Sequence, residues 1–178
     1  MPSLDLYYVD ELISVRQDQH GGGRGAPPIV DGHRVGTSVN RSCVVMLSAL
    51  LQGFVEDVFI AISQEKFSKM KSDQDIQRYR TTLRNWGNPN PDNINSLFLR
   101  LFIDDVLSGL SWQKCDNDSL KSRLREINQI RNDIAHGKED LKFNGKTISL
   151  SLSKVRTYRN FVEAFGERFE EHVRSKAA

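Results

Sequence analysis

The chain has 178 residues, 38% of them hydrophobic and 27% charged, with a formal net charge of +2. That length predicts one globular domain over residues 1–178, with a core that needs neither disulfides nor structural metal. The near-neutral balance excludes a histone-like polycation and leaves room for a local nucleic-acid site. Cys43 and Cys115 are far apart and form no CxxC pair, which excludes a zinc ribbon, a thioredoxin-type site and a disulfide framework. Free thiols suit a reducing, cytoplasmic setting. The opening MPSLDLYYVDEL carries acids where a signal peptide needs bases.

In chain order, Leu4, Tyr8, Leu12 and Val15 recur at helical spacing and predict a first helix from Ser3 to about Gln17. Residues 19–38 then read as a loop, because six glycines and two prolines fall between His20 and Ser38. The next helix is expected over Val39–Ser63, with Val44, Leu47, Leu51, Phe54, Val58 and Ile62 as one apolar stripe. Its stretch Cys43–Ile62 is long enough to cross a bilayer, but Glu56 and Asp57 lie inside it and charges are costly in lipid. A buried helix of a bundle, with no membrane, is the better reading.

A polar helix is expected over Ser72–Asn85. Trp86-Gly87-Asn88-Pro89-Asn90-Pro91 reads as a turn whose Asn90 caps a helix with Pro91 at its first position. That helix, Asp92 to about Leu107, is expected to bury Ile94, Leu97, Phe98, Leu101 and Phe102. Asp116-Asn117-Asp118 caps the next, Ser119–Ala135, and Gly137 ends it. Asn144-Gly145 marks a small hairpin between Lys142 and Ile148. The last helix, Ser153 to about Val173, carries Val155, Tyr158, Val162, Phe165 and Phe169 on one face. The fold class is all-α: a helical bundle with a long Gly-rich loop and one small β-hairpin.

Most candidate motifs dissolve under their own chemistry. Gly145-Lys146-Thr147 resembles the end of a phosphate-binding loop, but Asp140 stands where that loop needs glycine. The run Gly21-Gly22-Gly23-Arg24-Gly25 lacks a strand–loop–helix setting and reads as a linker, although Arg24 and Arg34 could touch a polyanion. His20, His33, His136 and His172 show no metal-ligand spacing, so neither metal nor other cofactor is expected. His172 continues the stripe of the last helix and reads as half-buried packing. Neither cysteine has a catalytic setting. Glu56 and Asp57, as helix neighbours about 100° apart, do not converge as paired carboxylates; Glu56 is kept as a candidate cleft acid that could pair with an arginine.

Ile130-Arg131-Asn132-Asp133-Ile134-Ala135-His136-Gly137 stands out. Leu120, Leu124, Ile127, Ile130 and Ile134 define a buried stripe, and Arg131 projects within it, about 20° from Leu120. Such an arginine needs a partner. An internal salt bridge to Glu56 or Asp57 is one solution, and a cleft that binds an anion is the other. His136, at a helix C-terminus, is expected to gain proton affinity from the helix dipole. A titrating histidine and a phosphate-gripping arginine are what RNA cleavage without metal requires. An unbroken helix sets the two about 140° apart, so either the helix unwinds before Gly137 or a second protomer completes the site.

At these residues the sequence resembles the HEPN superfamily, whose hallmark is an arginine, a polar residue and, after four to six intervening residues, a histidine. Arg131-Asn132-Asp133-Ile134-Ala135-His136 fits the form with four between. The runs NRSCVVMLSALLQGFVEDVF, WGNPNPDNINSLF and INQIRNDIAHG are similar to the RiboL-PSP branch and span most of Asn40–Gly137. The resemblance implies a homodimeric helical bundle with both motifs facing one cleft. It implies a metal-independent endoribonuclease, a hydrolase acting as a toxin or in phage defence and leaving 2′,3′-cyclic phosphate and 5′-hydroxyl ends. His136 would be the general acid/base, Arg131 would hold the scissile phosphate, and Asn132 would orient the histidine or contact RNA.

A related group of toxins carries a tyrosine two positions after the histidine, which its antitoxin modifies. Lys138 stands there instead, so that control is not expected, and Lys138 could add a phosphate contact. Between Lys121 and Lys146, seven bases face four acids, a local excess that favours RNA. The expected partners are RNA, a second copy of the chain and a cognate antitoxin or regulatory protein. The competing readings are a non-catalytic HEPN module that binds RNA, nucleotide or a partner protein, and a plain bundle in which Arg131 and His136 seal an interface.

Overall fold

The computed structural model describes residues 2–19, 26–66, 72, 74, 77, 81, 83 and 86–177. Among these, five helices carry the fold: α1 (Tyr7–Asp18), α2 (Thr37–Lys66), α3 (Pro91–Leu99), α4 (Asn117–Ala135) and α5 (Leu152–Ala177). Two antiparallel two-residue ladders decorate them: β1 (Ile29–Val30) with β2 (His33–Arg34), and β3 (Lys142–Phe143) with β4 (Lys146–Thr147). The all-α class holds. Most of the expected polar helix at 72–85 lies outside the described residues.

Helix α2 is the axis. It packs against α1, α3, α4 and α5, and its inward residues Cys43, Val44, Leu47, Leu51, Phe54, Val55, Val58, Phe59 and Ile62 are buried. Among the described residues it is the one helix long and apolar enough to cross a membrane, yet 56% of its most apolar window is buried inside the bundle. Phe165 and Phe169 of α5 stack at 4.7 Å, Phe98 of α3 meets Phe169 edge-on at 5.5 Å, and Phe54 of α2 lies 6.4 Å from Phe169, so one aromatic cluster joins three helices. Burial pushes the Cys43 thiol up to about 11, which makes it a core residue and not a nucleophile.

The caps explain the starts. Asn90 Oδ1 accepts the Asn93 N–H at 2.8 Å with Pro91 at the first helical position, and Asp116 Oδ1 accepts the Ser119 N–H at 2.7 Å. Each such cap is worth about 1 kcal/mol.

Three expectations need correction. In α1 the buried face is Leu6, Val9, Ile13 and Arg16, whereas Tyr8 and Val15 are exposed. The glycine-rich stretch is not all loop: Asp31 and Gly32 both take positive φ (49° and 79°) and close the β1–β2 hairpin. Helix α3 stops at Leu99 instead of running to Leu107. Its last hydrogen bonds tighten to the i→i+3 kind, and Phe102 turns left-handed (φ 61°) and out to solvent, 85% exposed. Two asparagines pin the segment that follows. Asn95 bonds Asp105 and the Leu107 N–H, and Asn117 Nδ2 donates to the Leu107 and Leu110 carbonyls.

Candidate active site

The Arg131–His136 motif occupies the last turn and the cap of α4. Leu120, Leu124, Ile127 and Ile130 bury the inner face, which fixes the rotation of the helix. Ala135 is its last residue, so the helix does not unwind ahead of the histidine. His136 is the C-cap, with φ −89° and ψ 11°, and its ring is exposed. The ending is a full Schellman motif: Gly137 (φ 69°) donates to Ile134 O at 3.0 Å, and Lys138 N–H to Asp133 O at 2.9 Å. Only glycine takes that φ without strain, so Gly137 sets the direction in which the chain leaves the motif.

Arg131 is half-buried and forms no ion pair among the described residues. The internal salt bridge to Glu56 or Asp57 is not made. Arg131 Nη1 donates instead to its neighbour's amide oxygen, Asn132 Oδ1, at 3.1 Å. The same oxygen accepts from Asn88 Nδ2 at 2.9 Å. Asn132 thus bridges the guanidinium to the 86–90 turn. It meets His136 through backbone alone, the His136 N–H donating to Asn132 O at 3.0 Å.

Glu56 reaches the same turn from α2: its Oε1 accepts the Trp86 Nε1 proton at 2.5 Å. The 86–88 segment therefore ties both Glu56 and Asn132, two residues that the sequence places 76 positions apart. Lys138 is committed to Asp133 at 2.8 Å, although more than half of its side chain stays exposed.

Asp133 and Asn88 were not singled out from the sequence. Asp133 is 2% exposed and accepts three hydrogen bonds, from Lys138 Nζ (2.8 Å), Gln129 Nε2 (2.9 Å) and the Lys142 N–H (3.4 Å). The Lys138 hydrogen bond above all holds its carboxyl below the ordinary carboxylate value. It staples the segment after the motif to α4. An acid in the last turn of a helix opposes the dipole, and that local conflict was the available signal. Asn88 had none, because its role depends on how the turn docks.

Several bases of the 121–146 stretch are spoken for. Lys121 pairs with Asp105, Arg123 with Glu126, Arg125 with Asp92 and Lys138 with Asp133. Arg131, Lys142 and Lys146 carry no ion pair among the described residues. His172 is half-buried as expected, its Nε2 2.9 Å from Val106 O, and His33 is exposed on β2. His20 and Arg24 lie outside the described residues.

With that geometry in view, the chain belongs to the RiboL-PSP-HEPN family, whose model matches residues 10–175. No curated protein and no solved structure matches it. HEPN domains are RNA-associated and often dimeric, so membership points to a nuclease or another RNA-related function.

Proposed function

We propose that the protein is a metal-independent endoribonuclease, working as a cytoplasmic homodimer in a toxin or defence role. The observation that carries this reading is the state of the motif. Arg131 is half-buried, held by an amide and unpaired with any acid among the described residues, and an exposed histidine sits five residues on at the helix cap. A guanidinium kept from carboxylates is available to a phosphate.

In the reaction, His136 takes the proton of a ribose 2′-hydroxyl, and that oxygen attacks the adjacent phosphorus. Arg131 stabilises the extra negative charge of the five-coordinate transition state. The bond to the 5′-oxygen breaks, a protonated histidine supplies its proton, and the products are a 2′,3′-cyclic phosphate and a 5′-hydroxyl. Asn132, bridged to Asn88, fixes the guanidinium. Glu56, held by Trp86 in the turn that also binds Asn132, is the candidate acid of the site.

The geometry of the motif supports a dimer. A helix intact through Ala135 leaves Arg131 and His136 about 140° apart, so each histidine is best matched with the partner's motif. A face for that pairing exists on α2, where Ser42, Val45, Met46, Ala49 and Gly53 are exposed at helical spacing and Glu56 continues the line. The deciding experiment incubates the protein with a mixed RNA pool in EDTA, beside His136→Ala. Cleavage by the wild type alone, with cyclic-phosphate ends, supports the reading; intact RNA with both proteins moves the balance to the non-catalytic module.

A further inference from the structure

Beside Glu139 and Leu141 lies a cavity of about 530 Å³, between the C-terminal end of α1, the start of α2 and the 148–151 segment that leads into α5. Arg16, Arg34 and Arg41 line it, opposed by the one acid Glu139. Its apolar wall includes Leu141, Ile148 and Leu150.

Arg16 is the anomaly. It is 3% exposed, and its Nε and Nη1 have no hydrogen-bond partner among the described residues. Space for its guanidinium is kept by Gly36 at the entry to α2: a Cβ there would fall 2.1 Å from Arg16 Nε. Burying a charged fork without an acceptor is unfavourable, and natural cores avoid it unless something supplies the acceptor. Beside it Asn40, 4% exposed, donates Nδ2 to Leu150 O at 2.8 Å and leaves its Oδ1 without a donor. Arg41 is anchored on Glu139 O at 2.7 Å and Arg34 on Pro27 O at 3.3 Å, each with other N–H groups left over.

Unsatisfied buried donors on Arg16 and an unsatisfied buried acceptor on Asn40, both in the lining of one cavity, fit a ligand with an anion and a hydrogen donor. We propose that this cavity binds a sugar phosphate, its phosphate on Arg16 with Arg34 and Arg41 at the rim, and a sugar hydroxyl on Asn40 Oδ1. A planar fork grips two phosphate oxygens at once, and the volume lies in the range of small-ligand sites. The sugar phosphate is either a free molecule or one unit of an RNA strand that passes from Glu139 toward the motif. The site stands apart from Arg131 and His136, so it holds whether or not the protein cleaves RNA.

The test is calorimetry and thermal unfolding of the full chain with ribose 5-phosphate, ribose and inorganic phosphate. Ribose 5-phosphate should bind at one site and raise Tm, inorganic phosphate at least tenfold more weakly, and ribose not at all. Arg16→Met should unfold at a higher temperature without ligand, because it removes an unpaired buried charge, and lose at least tenfold in affinity. Arg34→Ala, at an exposed position that the fold does not need, should lose a few-fold. Short RNA added to His136→Ala protein separates the sources: displacement of ribose 5-phosphate identifies an RNA unit, and no displacement identifies a free ligand. Absence of binding to the wild type, or undiminished binding to both Arg16→Met and Arg34→Ala, overturns the site. Equal affinity for ribose 5-phosphate and inorganic phosphate overturns the sugar contact at Asn40.

Discussion

Glu126 and Arg131 lie on the same helix, one turn and a half apart, and their surroundings are opposite. Glu126, 7% exposed, receives the Tyr158 hydroxyl at 2.9 Å, Lys154 at 2.7 Å and Arg123 at 2.7 Å. Both cations also lie over the Tyr158 ring, at 5.0 and 5.7 Å from its centre. Burial, with Glu126 beside it, holds the Tyr158 hydroxyl far above its ordinary value. That network is closed. Among the described residues Arg131 has one neutral acceptor and no acid. The first half of α4 spends its charge on the fold, while the second half leaves a charge unspent. A charge that the fold does not consume is the better candidate for chemistry.

The contrast breaks most sharply under substitution. Arg131→Ala and His136→Ala should each lower RNA cleavage by about 10²–10⁴ and leave the circular-dichroism melt within a few degrees of wild type. A collapse in Tm instead would mean that Arg131 belongs to the fold as Glu126 does. Glu126→Ala should do the reverse. It leaves the buried Tyr158 hydroxyl without an acceptor and costs about 2–3 kcal/mol, measurable as a lower urea midpoint at unchanged slope. Asn132→Ala sits between them: the guanidinium stays but loses its tether to Asn88. A loss of about tenfold in turnover, or 1.4 kcal/mol, is expected, with Arg131 and His136 in place.

The same contrast explains what could be read from the sequence. Elements with chemically signed boundaries were legible: Asp116 and Asn90 as caps, Gly137 as the stop of α4, Asn144-Gly145 as a turn, and the five-residue apolar stripe of α5, every member buried. The buried face of helix α1 was not legible because two stripes overlap there. Leu4, Tyr8, Leu12 and Val15 are as regular as Leu6, Val9 and Ile13, and the second runs on to an arginine, so periodicity found the helix but not its most buried face, with Leu4 and Leu12 half-buried at its edge. That choice also hid Arg16. The end of α3 was invisible because tertiary hydrogen bonds from Asn95 and Asn117, not local propensity, shape residues 100–110. Of the site, the motif itself was legible. Its supports, Asn88 and Asp133, depend on how distant segments dock.

Asp133 offers the finest test, because it sits inside the motif yet behaves like Glu126. Its carboxyl is held below the ordinary value by Lys138, with the Lys142 N–H and Gln129 adding to it. The folded state therefore prefers the carboxylate more than the unfolded chain does. That stability is complete above the unfolded value of about 3.9 and is lost as the pH falls through the lower folded value. Asp133→Asn should cost about 1–2 kcal/mol at neutral pH and remove this part of the acid-induced loss below about pH 4. His172 titrates in a separate window. Burial lowers its value, so its contribution is complete above about 6.5 and fades as the pH falls below that. A decline that starts near neutrality should thus survive in Asp133→Asn and vanish in a His172 variant. If Asp133→Asn melts like wild type at every pH, Asp133 does not staple the chain after the motif, and the position of His136 must be set by the Schellman turn alone.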